Sequence, residues 1–202
     1  MKKITVLISA LLLISFFSCN TESINDEKIT QDPNFRVFEA KVKKKGSVNG
    51  LRTSLDEPCM TTNLIAGQNY IAGTVTVDID GENLIITYST NEEWTIDATH
   101  MSIGDCSEQS IPTTGSGNPK VGKFEHSTTH SEGVNEVTYL IDISVANEEG
   151  GFCFAAHAEV TGPEGGETAW AEGTPFEGKN WAMYVEANVS DCEVVDDGGG
   201  VK

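Results

Sequence analysis

Two histidines raise the question of chemistry first. His100 stands six residues before Cys106, and His157 stands four residues after Cys153. Suppose the segments ending at Cys106 and starting at Cys153 are neighbouring antiparallel strands. Side-chain alternation then puts His100 on the face of Cys106 and His157 on the face of Cys153. The two imidazoles approach each other on the face that carries the cysteines, an arrangement that suits a metal or a general base. Glu159 and Glu167 are the carboxylates placed to supply a third ligand. Neither histidine belongs to a characteristic ligand spacing, so the plainer role for each ring is a hydrogen bond within a packed layer.

The aromatic residues suggest a second chemistry. Flat rings pack on the C–H faces of sugars while carboxylates bind their hydroxyls, and Trp94, Trp170, Trp181 and Tyr184 are the rings available. Trp170 follows the Gly-rich stretch Gly162-Pro-Glu-Gly-Gly166 and is the better candidate for exposure, whereas Trp181 falls on an apolar face; buried packing is the plainer role for these rings. Glu167 and Glu172 would make a glycosidase pair only at a suitable separation in space. Asp78, Asp80, Glu82 and Asn83 offer oxygen ligands that calcium prefers, but the D-x-[DN]-x-[DN]-G loop is absent. No nucleophile elbow, P-loop or H-E-x-x-H is present either. The candidate ligand-binding set is therefore His100, His157, Trp170 and Glu167. No catalytic residue, metal ligand or cofactor is assigned, and calcium is the one ion considered.

The elements that must position these groups are strands. In Gly73–Ser89, Val75, Val77 and Ile79 alternate with Thr74, Thr76 and Asp78, and Leu84, Ile86 and Tyr88 return after Asp80-Gly81. That is the pattern of a half-buried hairpin. A third strand is expected from Trp94 to Ile103, a short edge strand from Val121 to His126, and further strands over Val137–Val145, Phe152–Thr161 and Trp181–Val189. In Phe152–Thr161, Phe154, Ala156, Ala158 and Val160 are expected inward, opposite Cys153, Ala155, His157 and Glu159. Residues 107–120 form a Ser-, Thr-, Gly- and Pro-rich loop, longer than is usual inside a compact domain and of the kind that carries function. Helical periodicity is absent. The fold class is all-β, an antiparallel two-layer sandwich of jelly-roll type.

The chain has 202 residues, enough for one domain with a full core. Lys2 and Lys3 precede the apolar run Ile4–Phe17, which is short of the roughly 20 residues a transmembrane helix needs and has the proportions of an export signal. Phe16-Phe17-Ser18-Cys19 resembles a bacterial lipobox, although Phe16 departs from its usual aliphatic residue. The resemblance implies cleavage before Cys19, diacylglycerol on its sulfur and attachment to a membrane. Five cysteines then become an even set of four in an oxidising compartment. Connectivity is open on the residues alone. The preferred pairs are Cys59–Cys192, which ties the ends of the domain and would stabilise by ~4 kcal/mol, and Cys106–Cys153. Residues 1–18 read as a signal peptide, 19–58 as a mostly disordered tether with a strand or helical turn near Phe35–Val42, 59–192 as the domain and 193–202 as an acidic, Gly-rich tail. Lys41, Lys43, Lys44 and Lys45 are a solvated linker or a contact with anionic headgroups. The formal charge of −18 repels phosphate backbones and excludes nucleic acid as a partner.

The segments Ala72-Gly-Thr-Val-Thr-Val77, Thr99-His100 leading to Gly104-Asp-Cys106, Ala155-Ala-His-Ala158, Glu167-Thr-Ala-Trp-Ala-Glu-Gly-Thr174 and Asn180-Trp-Ala-Met-Tyr184 together span most of Leu64–Val189. As a set they resemble secreted or lipid-anchored β-sandwich proteins of Bacteroidota-type bacteria. The resemblance implies fold and export, and no reaction. The expectation is a lipid-anchored envelope protein, at the outer membrane and facing the periplasm or the surface. Its sandwich is a non-catalytic binding or structural module for a glycan or another envelope protein. The alternative is an envelope hydrolase using a His and carboxylate site.

Overall fold

Wherever apolar and polar side chains alternate, the chain is extended and pairs antiparallel with a neighbour. The computed structural model describes residues 35–40, 58–106 and 110–192. Its strands are β1 (Phe35–Ala40), β2 (Met60–Ala66), β3 (Tyr70–Asp80), β4 (Asn83–Thr90), β5 (Thr95–Gly104) and β6 (His126–Val134), followed by β7 (Glu136–Asp142), β8 (Gly151–Gly162), β9 (Gly165–Ala171), β10 (Thr174–Pro175) and β11 (Met183–Asn188). One sheet runs β6-β5-β8-β9-β2-β3-β4-β7-β1. β11 lies beyond β9 on the same edge of β8 and carries β10. The β3–β4 hairpin closes through Gly81-Glu82, with Gly81 at φ 60° in the first central position, where only glycine is unstrained.

The sheet curls into a half-barrel until its two halves face each other, giving an all-β, sandwich-like fold. Inward residues of β2, β3, β4, β7, β5 and β8 merge into one core, with Leu64, Val75, Ile86, Tyr139, Met101 and Phe154 among its fully buried members. Two tyrosines cross the interior. The Tyr88 hydroxyl donates to the His100 carbonyl at 3.3 Å, and the Tyr139 hydroxyl bonds Thr99, which also meets His130 Nε2 at 3.0 Å. Buried polar groups thus find partners across the layers.

Several boundaries differ from the sequence reading. β1 takes up the place near Phe35–Val42 where a strand or helical turn is expected within the tether, and it pairs with β7 at the margin of the sheet. β2 and β6 were not anticipated, because Thr61-Thr62-Asn63 and Ser127-Thr128-Thr129 offer little apolar alternation. Val121–Lys123 is a 3-10 turn instead of an edge strand. β7 stops at Asp142, whose carboxylate accepts from Ser144 N at 2.9 Å and starts a 3-10 turn over Ile143–Val145. β11 is shorter than Trp181–Val189, and Val189–Cys192 turns as 3-10. Trp181 and Met183 pack on the outer face instead of sharing the core with Val185. The export signal, Cys19, the lysine cluster and the acidic tail lie outside the described residues.

Candidate functional site

In the β5–β8 pair, Gly104 stands opposite Cys153 and His100 opposite His157. The Cys106–Cys153 disulfide lies just beyond this register, and Cys59–Cys192 joins the domain's ends. These are the two pairings the sequence favours. The parity argument for the histidines also holds, with ring centroids 5.4 Å apart on the outer face. A row of side chains continues across four strands there, from Ser127 through His100 and His157 to Trp170. Ser127 Oγ is 3.0 Å from His100 Nδ1, and Glu159 Oε1 is 3.9 Å from His100 Nε2. The Trp170 ring sits 4.7 Å from His157.

Two of the candidate ligand-binding residues are placed otherwise than a shared open site needs. Trp170 is buried, with 5% of its surface exposed. Phe124, from a loop distant in sequence, packs edge-on to it at 6.3 Å, and Phe176, six residues downstream, at 6.4 Å. Together with Ile111, Ala155 and Ala182 they form a second apolar cluster outside the sheet. Glu167 does not join the histidines. It pairs with Val160 on the opposite parity, and its carboxyl lies where a Cβ on Gly67 would come within 3.0 Å. Glu172 is held by Asn63 Nδ2 at 2.7 Å. At the first hairpin, the Asp78 carboxylate accepts from Cys59 N at 3.2 Å, and Asn83 donates to the Asp80 carbonyl. Among the described residues, no group of three His, Cys, Asp or Glu side chains is arranged to hold a metal ion.

The histidine pair is electrostatically quiet. Burial, reinforced by His100, lowers the His157 pKa to about 4. Burial lowers His100 as well, with Glu159 opposing. Both rings are neutral at pH 7, and His157 Nδ1 has no hydrogen-bond partner among the described residues. A neutral imidazole sandwiched between His100 and Trp170 acts as a packing group.

Open concave surface lies further along the same outer face. A cleft of about 440 Å³ runs from Asp105 and Cys106 past the 110–117 loop to Phe176, Glu177, Tyr184 and Glu186. Phe176 and Tyr184 stand 5.0 Å apart. The Tyr184 pKa is raised by burial and then by the neighbouring Glu186 carboxylate, with Glu177 adding to the effect. The walls are braced before any ligand arrives. Thr114 N bonds the Asn118 carbonyl at 2.8 Å, and Lys120 N bonds that of Pro112 at 2.8 Å. Gly117, at φ 80°, lies so close to the other wall that a Cβ would meet Glu177 Cβ at 2.9 Å. Asn118 Oδ1 accepts from Asn180 N at 3.2 Å, tying loop to loop.

Sequence reading reached this cleft only in part. The length of the 107–120 loop and the aromatic character of Tyr184 were visible signals. Phe176 and Glu177 lie in a loop with no periodicity, and Glu186 alternates with the apolar residues of β11, so none of the three carries a signal. Comparison with protein-family models, curated proteins and solved structures finds no match to this chain.

Proposed function

We propose that this chain is an exported protein of the bacterial cell envelope, anchored by lipid on Cys19 at the outer membrane. In this reading its β-sandwich is a non-catalytic binding module, and the cleft takes a hydroxyl-rich ligand, a glycan of the envelope or its surroundings. The observation that carries the reading is the pairing of a ring wall, Phe176 and Tyr184, with carboxylates and the Ser- and Thr-bearing 110–117 loop in one braced concavity. Ligand pockets combine apolar walls with a few placed polar groups in this way. Bracing lowers the ordering cost of binding. A basic start, an apolar run and Ser18-Cys19, with an even cysteine set behind them, support export and anchoring.

The test is titration of the mature chain against fractionated envelope polysaccharides. Saturable binding that Tyr184→Ala abolishes, with the melting temperature kept, is the expected result. Binding that is indifferent to Tyr184→Ala would move the site elsewhere. For the anchor, Cys19→Ala should leave the protein soluble or unprocessed, and unchanged membrane retention would sink it.

A further inference from the structure

We infer that the cleft selects ligands bearing a free ammonium group, and that an amino sugar with an unsubstituted amine is the class it fits; this rests on reading the cleft as a sugar site. Three carboxyl-bearing residues, Asp105, Glu177 and Glu186, line the concavity, and no lysine or arginine does. They come from three separate segments, the end of β5, the loop after β10, and β11, so the fold gathers them.

Glu186 pairs with Cys153 in the β11–β8 ladder and so belongs to the outer face. Tyr184 stands two residues before Glu186 on β11, and both line the cleft. Glu177 is brought to the cleft by the close approach of its backbone and Cβ to Gly117, where an added Cβ would come within 2.9 Å. Asp105 Oδ1 accepts from Asn147 Nδ2 at 3.3 Å, which fixes its direction. An ammonium between such groups gains charge-assisted hydrogen bonds and lies beside ring faces that attract cations. A uronic acid or sugar phosphate meets repulsion in the same place. An N-acetylated sugar keeps the ring contact and loses the charge term.

The rival cause is the general field of a chain carrying 31 acids against 13 bases, which draws any polycation. The experiment separates the two by calorimetric titration of the mature chain with tetra-glucosamine and with tetra-N-acetylglucosamine. Tetra-glucosamine is expected to bind about tenfold tighter, the scale of one charge-assisted hydrogen bond. Glu177→Gln combined with Glu186→Gln should erase that preference and leave the weaker binding of the acetylated form. Glu92→Gln combined with Glu136→Gln, remote from the cleft lining, should change neither. Equal affinity for the two oligomers overturns the inference while the sugar site stands. Equal losses from the remote pair assign the attraction to the general field and overturn it too. Absence of binding by both oligomers overturns the sugar site together with the inference. A tetralysine peptide bound as tightly as tetra-glucosamine, with the same dependence on Glu177 and Glu186, overturns the assignment to sugars.

Discussion

β8 has two faces that are stabilised by different means. Inward, Phe152, Phe154, Ala156, Ala158 and Val160 are at most 1% exposed and meet the opposite half of the curled sheet. Outward, Cys153, Ala155 and His157 are buried under loops, and Glu159 is left in water. The inner face depends on apolar area removed from water. The outer face depends on a disulfide, a stack of rings and loop-to-loop hydrogen bonds. The contrast teaches that β8 gives a wholly apolar face to the main core, and places its disulfide and histidine on the other side.

The strongest way to break this comparison is Phe154→Ala. A fully buried phenylalanine in the main core should cost about 3–5 kcal/mol, a large share of the roughly 5–15 kcal/mol of a typical domain. Urea denaturation measures it, and a cost below about 1 kcal/mol would show that the inner face is not the principal core. Next in size is removal of Cys106–Cys153 by paired serine substitution. Stability should fall by about 2–4 kcal/mol. The far-ultraviolet spectrum should stay that of a β-protein, while cleft binding is lost. Retained binding would mean that the bridge does not shape the cleft.

The pH dependence of stability is smaller and sharper. With a folded pKa of about 4 against about 6.5 in the unfolded chain, His157 refuses a proton that the unfolded state accepts. Stability should therefore decline as pH falls from about 6.5 and level off below about 4, by on the order of 3 kcal/mol in total. His100 adds in the same direction. Thermal melts of His157→Leu should be flatter across that window and no less stable at pH 7, since the buried Nδ1 goes with the ring. Equal slopes in the two proteins would refute the assignment. The smallest effect belongs to the outer rim. Glu159→Gln, at a side chain 60% exposed, should leave stability within about 0.5 kcal/mol. It should lower the His100 titration midpoint followed by NMR, because Glu159 is the group that raises it. A midpoint that rises would contradict the geometry.

Local patterning determined much of this protein. The alternation in Val75–Ile79 and Phe152–Thr161 was enough to assign strands and to say which side chains turn inward, because the pleat has a period of two. The same parity brought His100 to His157. Patterning was silent where strands are polar, as in β2 and β6, and where a turn ends a strand that could have continued, as at Asp142. Tertiary structure alone decided that Trp170 is covered, that Glu167 faces away from the histidines, and that Asp105, Glu177 and Glu186 share a cleft. The physical reason is that cover and cleft depend on which loops pack against a face, and the side Glu167 takes depends on the register of β9 against β8. Alternation along one strand carries no record of the loop that will cover it.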